Sequence, residues 1–444
     1  MSRAARKITI ALFLCFVGIS IFNNAHAQFN RHYAKYIILL IGDGMGSNHI
    51  QAANLYTNQI PAYQSWQNTW VSTYPLDGEY NPDLAWQNFS YVSQLKITDS
   101  AAAATAMYCG HKTLPGRINV DGENPGNRLE SITEIGRSFR YAIGAVTTAP
   151  MSDATPAGWI AHNDNRINGF AIADEGLWGN PNTTGTSDET YHAGGHGNTN
   201  PPIDVLIGGG HPSWLSKNNH FISEAIVTKL RDEANQPNAL RFVERVSGSQ
   251  DGGSRLLSKA SQETTTKLVG LFGGANGDIE FRMADGSGAN PENPNLVQMT
   301  QAALKVLERN PNGFLLMVEG GTIDHASHAN NMDEMVGEVL EFNQAVQAVI
   351  DWVNDPNNDS TWENSLLIIT ADHETGYLTA SPSVLPNLPL GEISQRTLGL
   401  EKSYNSTSFR ASWEDNNANG QIDAGEQVYW AWNSSGHTNS LVPL

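Results

Sequence analysis

Short apolar runs recur along the chain. Residues 36–41 (YIILLI), 141–147, 203–207, 314–318 and 366–370 are mostly hydrophobic without strict alternation. A strand with one wet face alternates, whereas a strand covered on both faces does not, so these runs predict buried strands. Helical periods lie between them. Over residues 333–353, Val336, Val339, Leu340, Phe342, Val346, Val349, Ile350 and Val353 recur largely at three- and four-residue spacing, the repeat of an amphipathic helix. Strands alternating with helices predict an α/β fold, a three-layer α/β/α sandwich around a large, mostly parallel sheet. Two regions break the pattern. Residues 168–202 are rich in Gly, Asn, Thr and Pro, and the region 376–430 starts with little periodicity, so both read as insertions within a single domain spanning 28–444.

The polar residues that follow the apolar runs carry the chemistry. The first run ends in Asp43-Gly44-Met45-Gly46, the fourth in Glu319 and then Asp324-His325-Ala326-Ser327-His328, and the fifth in Asp372-His373-Glu374. Parallel sheets bind ligands outside the carboxyl ends of their strands, so these side chains are expected to converge. A mixture of carboxylate and imidazole suits zinc. An Asp after a strand is also a common helix cap, and Asp324 with His328 also fits a solvated helix face. Three coincident cases favour a metal centre, because an i,i+4 pair can reach one ion from one helical turn. Ser100, before a run of alanines, reads as an N-cap and equally as a nucleophile, since a helix N-terminus attracts the phosphate such a serine would attack.

Composition narrows the partners. The 444 residues carry 26 Lys+Arg against 45 Asp+Glu, a formal charge of -19, too acidic for nucleic-acid binding through the chain's own lysines. At the N-terminus Arg3, Arg6 and Lys7 precede an apolar run over 8–22 and an Ala25-His26-Ala27 cleavage pattern, so residues 1–27 read as a removed signal peptide. The run is shorter than the ~20 residues of a membrane span. Export to the periplasm or the medium is therefore expected, without a membrane anchor, and the exported chain keeps 23 bases against 45 acids. Cys15 leaves with the leader, so Cys109 has no partner for an internal disulfide and is expected to be a small buried group rather than a nucleophile.

Six motifs, IGDGMG, TDSAAAATA, DATPAGWIAHNDNR, VEGGTIDHASH, TADHETG and GHT, occur in the order found in alkaline phosphatases, and over residues 41–438 the chain resembles that family. The resemblance implies hydrolysis of phosphate monoesters through a phosphoserine on Ser100. It implies a first zinc on Asp324, His328 and His437, and a second on Asp43, Asp372 and His373 that also touches Ser100. A third site, usually magnesium, would use Asp43, Glu319 and Thr155, with Asp153 reaching it through water. Arg166 matches the family's phosphate clamp. Asp153 stands here with His325, a pairing the family commonly makes otherwise, which leaves the third metal open. His325 beside phosphate is expected to titrate near neutrality. The chain ends seven residues after His437, where the family usually continues into a further strand and helix.

A separate motif lies at 415–426. Its residues fit D-x-[DN]-x-[DN]-G-x₅-E, an EF-hand-type loop in which Asp415, Asn417, Asn419, the Gln421 carbonyl and Glu426 would hold calcium. The following residues 427–430 read as strand rather than helix. A polar surface turn is the alternative. If calcium binds, it is expected to order the segment that delivers His437. The competing readings of the whole chain are a phosphodiesterase or related hydrolase with the same metal core, and an inactive calcium-stabilised binding protein. Oligomeric state stays open, a homodimer included.

Overall fold

The computed structural model describes residues 34–66, 69–124, 126–196, 202–216, 219–236, 240–380 and 401–444. The expected leader, residues 1–27, lies outside them. The main sheet has seven strands: β1 (Tyr36–Gly42), β2 (Ala142–Pro150), β3 (Val205–Gly209), β4 (Arg241–Glu244), β5 (Leu268–Leu271), β6 (Phe314–Gly320) and β7 (Ser365–Thr370). Their order is β4-β5-β3-β2-β6-β1-β7, and every neighbouring pair is parallel. All five predicted strands are present. The strands β4 and β5 add to them; at four residues each they are too short to stand out in the sequence.

Alternate side chains of the inner strands enter two different cores, whereas β7 at the sheet edge is only half-covered and leaves Leu366 44% exposed, against the expectation of a buried strand there. Ile38, Leu40, Val146, Leu316 and Val318 pack with helices α1 (Ser47–Thr57), α5 (Leu296–Leu307) and α7 (Met332–Val353). Ile41, Ile143, Ala145, Leu315 and Met317 pack on the other face with α2 (Ser100–Cys109), α3 (Ala154–Ile160) and α4 (Gly169–Trp178). This two-sided burial is why the strands read as continuous apolar runs, and it is the three-layer sandwich expected. Helix α7 covers the predicted period almost residue for residue. Among the described residues no helix is long and apolar enough to cross a membrane.

Local chemistry starts α2 where the site needs it. Alanines have the best helix propensity, the Asp99 carboxylate caps Ala102 N–H at 2.9 Å, and Gly110 closes the helix at φ 68. The N-cap is thus Asp99, and Ser100 is the first helical residue rather than the cap. Cys109 is half-buried, donates its thiol to Asn119 Oδ1 at 3.1 Å, and is pushed up to about 12 by burial, which keeps it inert.

Both irregular regions hold more structure than expected. Helix α4 lies inside 168–202, its apolar residues Ile172, Ala173 and Leu177 fully buried although Gly and Asn surround it in sequence. After β7 the chain forms β8 (Glu374–Thr375), β9 (Leu378–Ala380), β10 (Lys402–Ser403), β11 (Arg410–Trp413), β12 (Val428–Trp432) and β13 (His437–Thr438). Strands β9, β12, β11 and β10, in that order, make an antiparallel sheet, and β8 pairs with β13. Strand β12 confirms the reading of residues 427–430 as strand. Trp413, Trp430 and Trp432 are fully buried in this region, and truncating any one costs about 3–5 kcal/mol in a typical core.

Candidate active site

The strands β2, β6, β1 and β7 are adjacent and end together, with Thr147 level with Glu319 and Ile41 level with both Glu319 and Thr370. Their continuations bring five carboxylates into one place. Asp43 follows β1, Asp153 caps α3 after β2, Glu319 ends β6, Asp324 lies on the next turn in α6 (Thr322–His328), and Asp372 follows β7. All but Asp153 are buried.

Two clusters of ligand atoms form there. The first joins Asp324, His373 and His437, and the second Asp43, Asp372 and His373. His328 belongs with the first. Its Nε2 lies 3.1 Å from Asp324 Oδ2 and 3.1 Å from His437 Nε2. The opposite nitrogens face backbone carbonyls, His328 Nδ1 at 2.6 Å from Ser435 O and His437 Nδ1 at 3.0 Å from Thr98 O. A carbonyl only accepts, so each Nδ1 carries a proton, and in the neutral ring each Nε2 turns a lone pair into the cluster. Two lone pairs 3.1 Å apart repel unless a proton or a metal cation lies against them. Asp43 Oδ1 and Asp372 Oδ2 are buried and face only His373 Nε2, at 3.5 Å and 3.0 Å. The donor set, carboxylate oxygens and imidazole nitrogens with unused lone pairs, fits zinc at both positions.

The electrostatics make the same demand. Burial, then the charges of Asp372, Asp324 and Glu319, hold the Asp43 carboxyl well above the usual range. Burial pushes Glu319 up to about 7, with Asp153 and Asp372 adding to it. Burial also disfavours the anions of Asp324 and Asp372, but the facing imidazoles of His328, His437 and His373 outweigh it and hold both below the usual range. Protons or divalent cations must offset this crowding. Thr155 places its hydroxyl 3.4 Å from Asp43 Oδ2 and also reaches Glu319, which itself accepts a short hydrogen bond from Thr147. Asp43, Thr155 and Glu319 therefore share a third, all-oxygen corner, the ligand chemistry of magnesium.

Ser100 and Arg166 face this centre. Ser100 Oγ is 3.2 Å from His373 Nε2. Arg166 contacts Asp99 Oδ2 at 3.3 Å and Asp153 Oδ1 at 2.8 Å, so its guanidinium is fixed beside the serine by two carboxylates. Asp153 stays below the usual range because Arg166 and His325 overcome its burial.

A family model described as alkaline phosphatase matches residues 34–443. The chain belongs to the alkaline phosphatase family. It is 30% identical over 397 residues to the repressible alkaline phosphatase of Saccharomyces cerevisiae, covering 86% of this chain and 62% of that protein. It is 31% identical over 354 residues to alkaline phosphatase 3 of Bacillus subtilis, covering 78% and 62%. The chain thus spans less than two thirds of the length of either relative. The solved alkaline phosphatase of Thermus thermophilus shares the fold at a TM-score of 0.62 and 19% identity, covering 93% of this chain and 86% of that one.

Some members of this site escaped sequence reasoning. Asp99 does double duty, capping α2 and orienting Arg166; its position just before Ser100 was the available signal. Thr375 donates to Asp324 Oδ1 and lies 3.3 Å from His373 Nδ1, and it too stands in a recognised motif. Asp278 gave no local signal. Its Oδ2 lies 3.0 Å from His325 Nδ1. Burial lowers the His325 pKa, but Asp278 dominates and brings it up to about 10, so the ring is charged at neutral pH instead of titrating there as expected.

The 415–426 loop behaves differently. Asp415 Oδ1 and Asn417 Oδ1 both accept from Asn419 N–H at 3.1 Å, while Glu426 accepts from Asn416 N–H at 2.8 Å and Asp423 N–H at 2.9 Å. Lys402 Nζ lies 2.7 Å from Asp415 Oδ2, and the Gln421 carbonyl accepts from Trp413 Nε1 at 3.1 Å. His437 is held elsewhere. Asn330 Nδ2 bonds Ser434 O at 2.8 Å, Gly376 N–H bonds Gly436 O at 3.0 Å, and His437 itself bonds Thr98 O. None of these contacts comes from the loop, so the expected dependence of His437 on calcium has no contact to carry it.

Proposed function

We propose that the protein hydrolyses phosphate monoesters to alcohol and inorganic phosphate through a phosphoserine on Ser100. The observation that carries the reading is the position of Ser100 Oγ, at a helix N-terminus, 3.2 Å from His373 Nε2 and beside a guanidinium fixed by Asp99 and Asp153. Asp324, His328 and His437 would hold one zinc; Asp43, Asp372 and His373 a second, with Ser100 beside it. Asp43, Glu319 and Thr155 would hold magnesium, with Asp153 behind. When bound, these ions supply Lewis-acid stabilisation of the serine alkoxide and of the leaving oxygen.

The chain's own residues do the rest. Arg166 pairs with two phosphoryl oxygens and orients the ester for in-line attack, and the N–H groups at the start of α2 face the same charge. Ser100 Oγ gives up its hydroxyl proton to solvent and bonds to phosphorus as the P–O bond to the alcohol breaks, and the departing alkoxide takes a proton from water. Water then attacks phosphorus from the opposite side and loses a proton, Ser100 leaves with its electron pair and is reprotonated, and phosphate departs. The protonated His325, held by Asp278, adds positive charge near Asp153 and Arg166.

Two further proposals accompany this. The 415–426 loop takes calcium weakly, in exchange for Lys402, and stabilises its own hairpin. The protein is exported after cleavage at Ala27, which N-terminal sequencing of the mature chain checks by a start at Gln28. The main test is turnover of a chromogenic phosphate monoester against a bis-ester, before and after chelation. Fast, chelator-sensitive cleavage of the monoester alone is expected; preference for the bis-ester would favour a phosphodiesterase.

A further inference from the structure

The ligand cluster draws its residues from four segments far apart in sequence, and one side chain ties three of them together, those of Asp43, His373 and His437. Glu374 directly follows His373 and is 5% exposed. Its Oε2 accepts a short hydrogen bond from Thr438 Oγ1, next to His437, and its Oε1 accepts from Leu378 N–H at 3.3 Å. Its stem packs on Gly46, in the turn after Asp43. A Cβ on Gly46 would lie 2.3 Å from Glu374 Cγ, so that position has to be glycine for the carboxylate to fit.

The strand ladder at this junction is short, with further backbone bonds from Gly376 N–H to Gly436 O and from Asn439 N–H to Val92 O on either side of it. Strands β8 and β13 pair over only two residues, His437 with Thr375 and Thr438 with Glu374. A two-residue ladder is marginal without side-chain help. Yet it sets where His437 stands, with its ring 3.6 Å from that of His373 and its Nε2 3.6 Å from Asp324 Oδ1. Metal sites tolerate ligand displacements of only about 0.2–0.5 Å.

We infer that Glu374 is a positioning residue that, through Thr438, holds His437 at the spacing from Asp324 and His328 that a divalent ion requires. This rests on the reading that those three residues hold zinc, and is independent of the reaction that follows. Glu374 touches no substrate atom and does not ligate the ion. Its action is to register the segment of His437 against those of Asp43 and His373, on which Asp324 and His328 converge.

The test is zinc affinity of the full chain, measured by competition with a chromogenic chelator after the metal is stripped and returned. Removing such an outer partner typically costs 10- to 100-fold in metal affinity. Thr438→Val, which keeps shape and loses the hydroxyl, is expected to weaken one of the two zinc sites by that factor and leave the other within threefold. Thr438→Ser is expected to restore it. Glu374→Gln is expected to fall between, because its amide can still accept from Thr438 but meets the Leu378 N–H with a donor. Tyr404→Phe is the control, removing a buried hydrogen bond to Trp432 O that lies outside the clamp.

Equal zinc affinity in wild type and folded Thr438→Val would overturn the inference, and so would an equal loss in Tyr404→Phe, which would mark the effect as general destabilisation. If Thr438→Val does not fold, Thr438→Ser and Glu374→Gln carry the test: wild-type affinity in the serine variant with a weakened site in the glutamine variant supports the clamp, and any other pair of results overturns it. Fewer than two zinc sites in the wild type would instead overturn the metal reading itself.

Discussion

Two regions of this chain gather oxygen ligands, and they do so in opposite ways. At the carboxyl ends of β2, β6, β1 and β7, carboxylates and imidazoles from distant segments are buried together, with Asp43 Oδ1 and Asp372 Oδ2 sharing one imidazole, His373, between them. In the 415–426 loop all the candidates lie within one exposed turn. There the carboxylates are already served by the loop's own N–H groups and by Lys402. Burying unpaired charge is costly and has to be offset by a partner, whereas a self-satisfied surface loop needs none. A sequence motif can thus be complete and still describe a site the fold does not depend on.

The largest expected effect tests the buried region. Ser100→Ala should lower kcat by about 10⁴-fold or more, as nucleophile deletions generally do, measured with a chromogenic monoester. Chelation should abolish activity as fully, with zinc and magnesium restoring it and calcium failing to; restoration by calcium alone would reverse the contrast. Arg166→Ala should cost about 10- to 100-fold in kcat/KM, the worth of charge-assisted hydrogen bonds to phosphate.

Glu319 in the buried region and Asp415 in the loop give the pH dependence of stability opposite signs. Glu319 is raised to about 7 when folded, so in the metal-free protein its contribution is full below the unfolded value near 4.5 and lost as pH rises through about 7. Asp415 is lowered by its bonds to Lys402 and the loop N–H groups, so its contribution is present above the ordinary carboxylate value and lost as pH falls. Between pH 5 and 7 the denaturant midpoint of the metal-free wild type should therefore fall relative to that of Glu319→Gln, which lacks this titration. The smallest effect belongs to the loop. Asp415→Ala with Glu426→Ala should leave activity within about twofold and remove any calcium-dependent rise in Tm.

The same contrast explains what was legible in the sequence. Strands buried on both faces announce themselves as apolar runs, and the ligands sit where those runs stop, so the ligand segments 43–46, 319–328 and 372–374 could be found without coordinates. Helix α4 was hidden because its flanks are Gly- and Asn-rich, and β4 and β5 because four residues carry too little pattern. The Ser100 cap was misplaced by one residue, since Asp99 is an equally good cap. Asp278 could not have been found, because a partner 47 positions from His325 leaves no periodic trace. The calcium motif was the easiest of all to read, yet nothing in its spacing revealed that Lys402, from another strand, would stand on Asp415.

The central claim is that Ser100 carries the phosphoryl group. Acid quenching during turnover, followed by mass spectrometry of the peptides, tests it directly: the account predicts phosphate on Ser100 in the wild type and none in Ser100→Ala, and steady turnover with Ser100 never phosphorylated, or full turnover by Ser100→Ala, would contradict it.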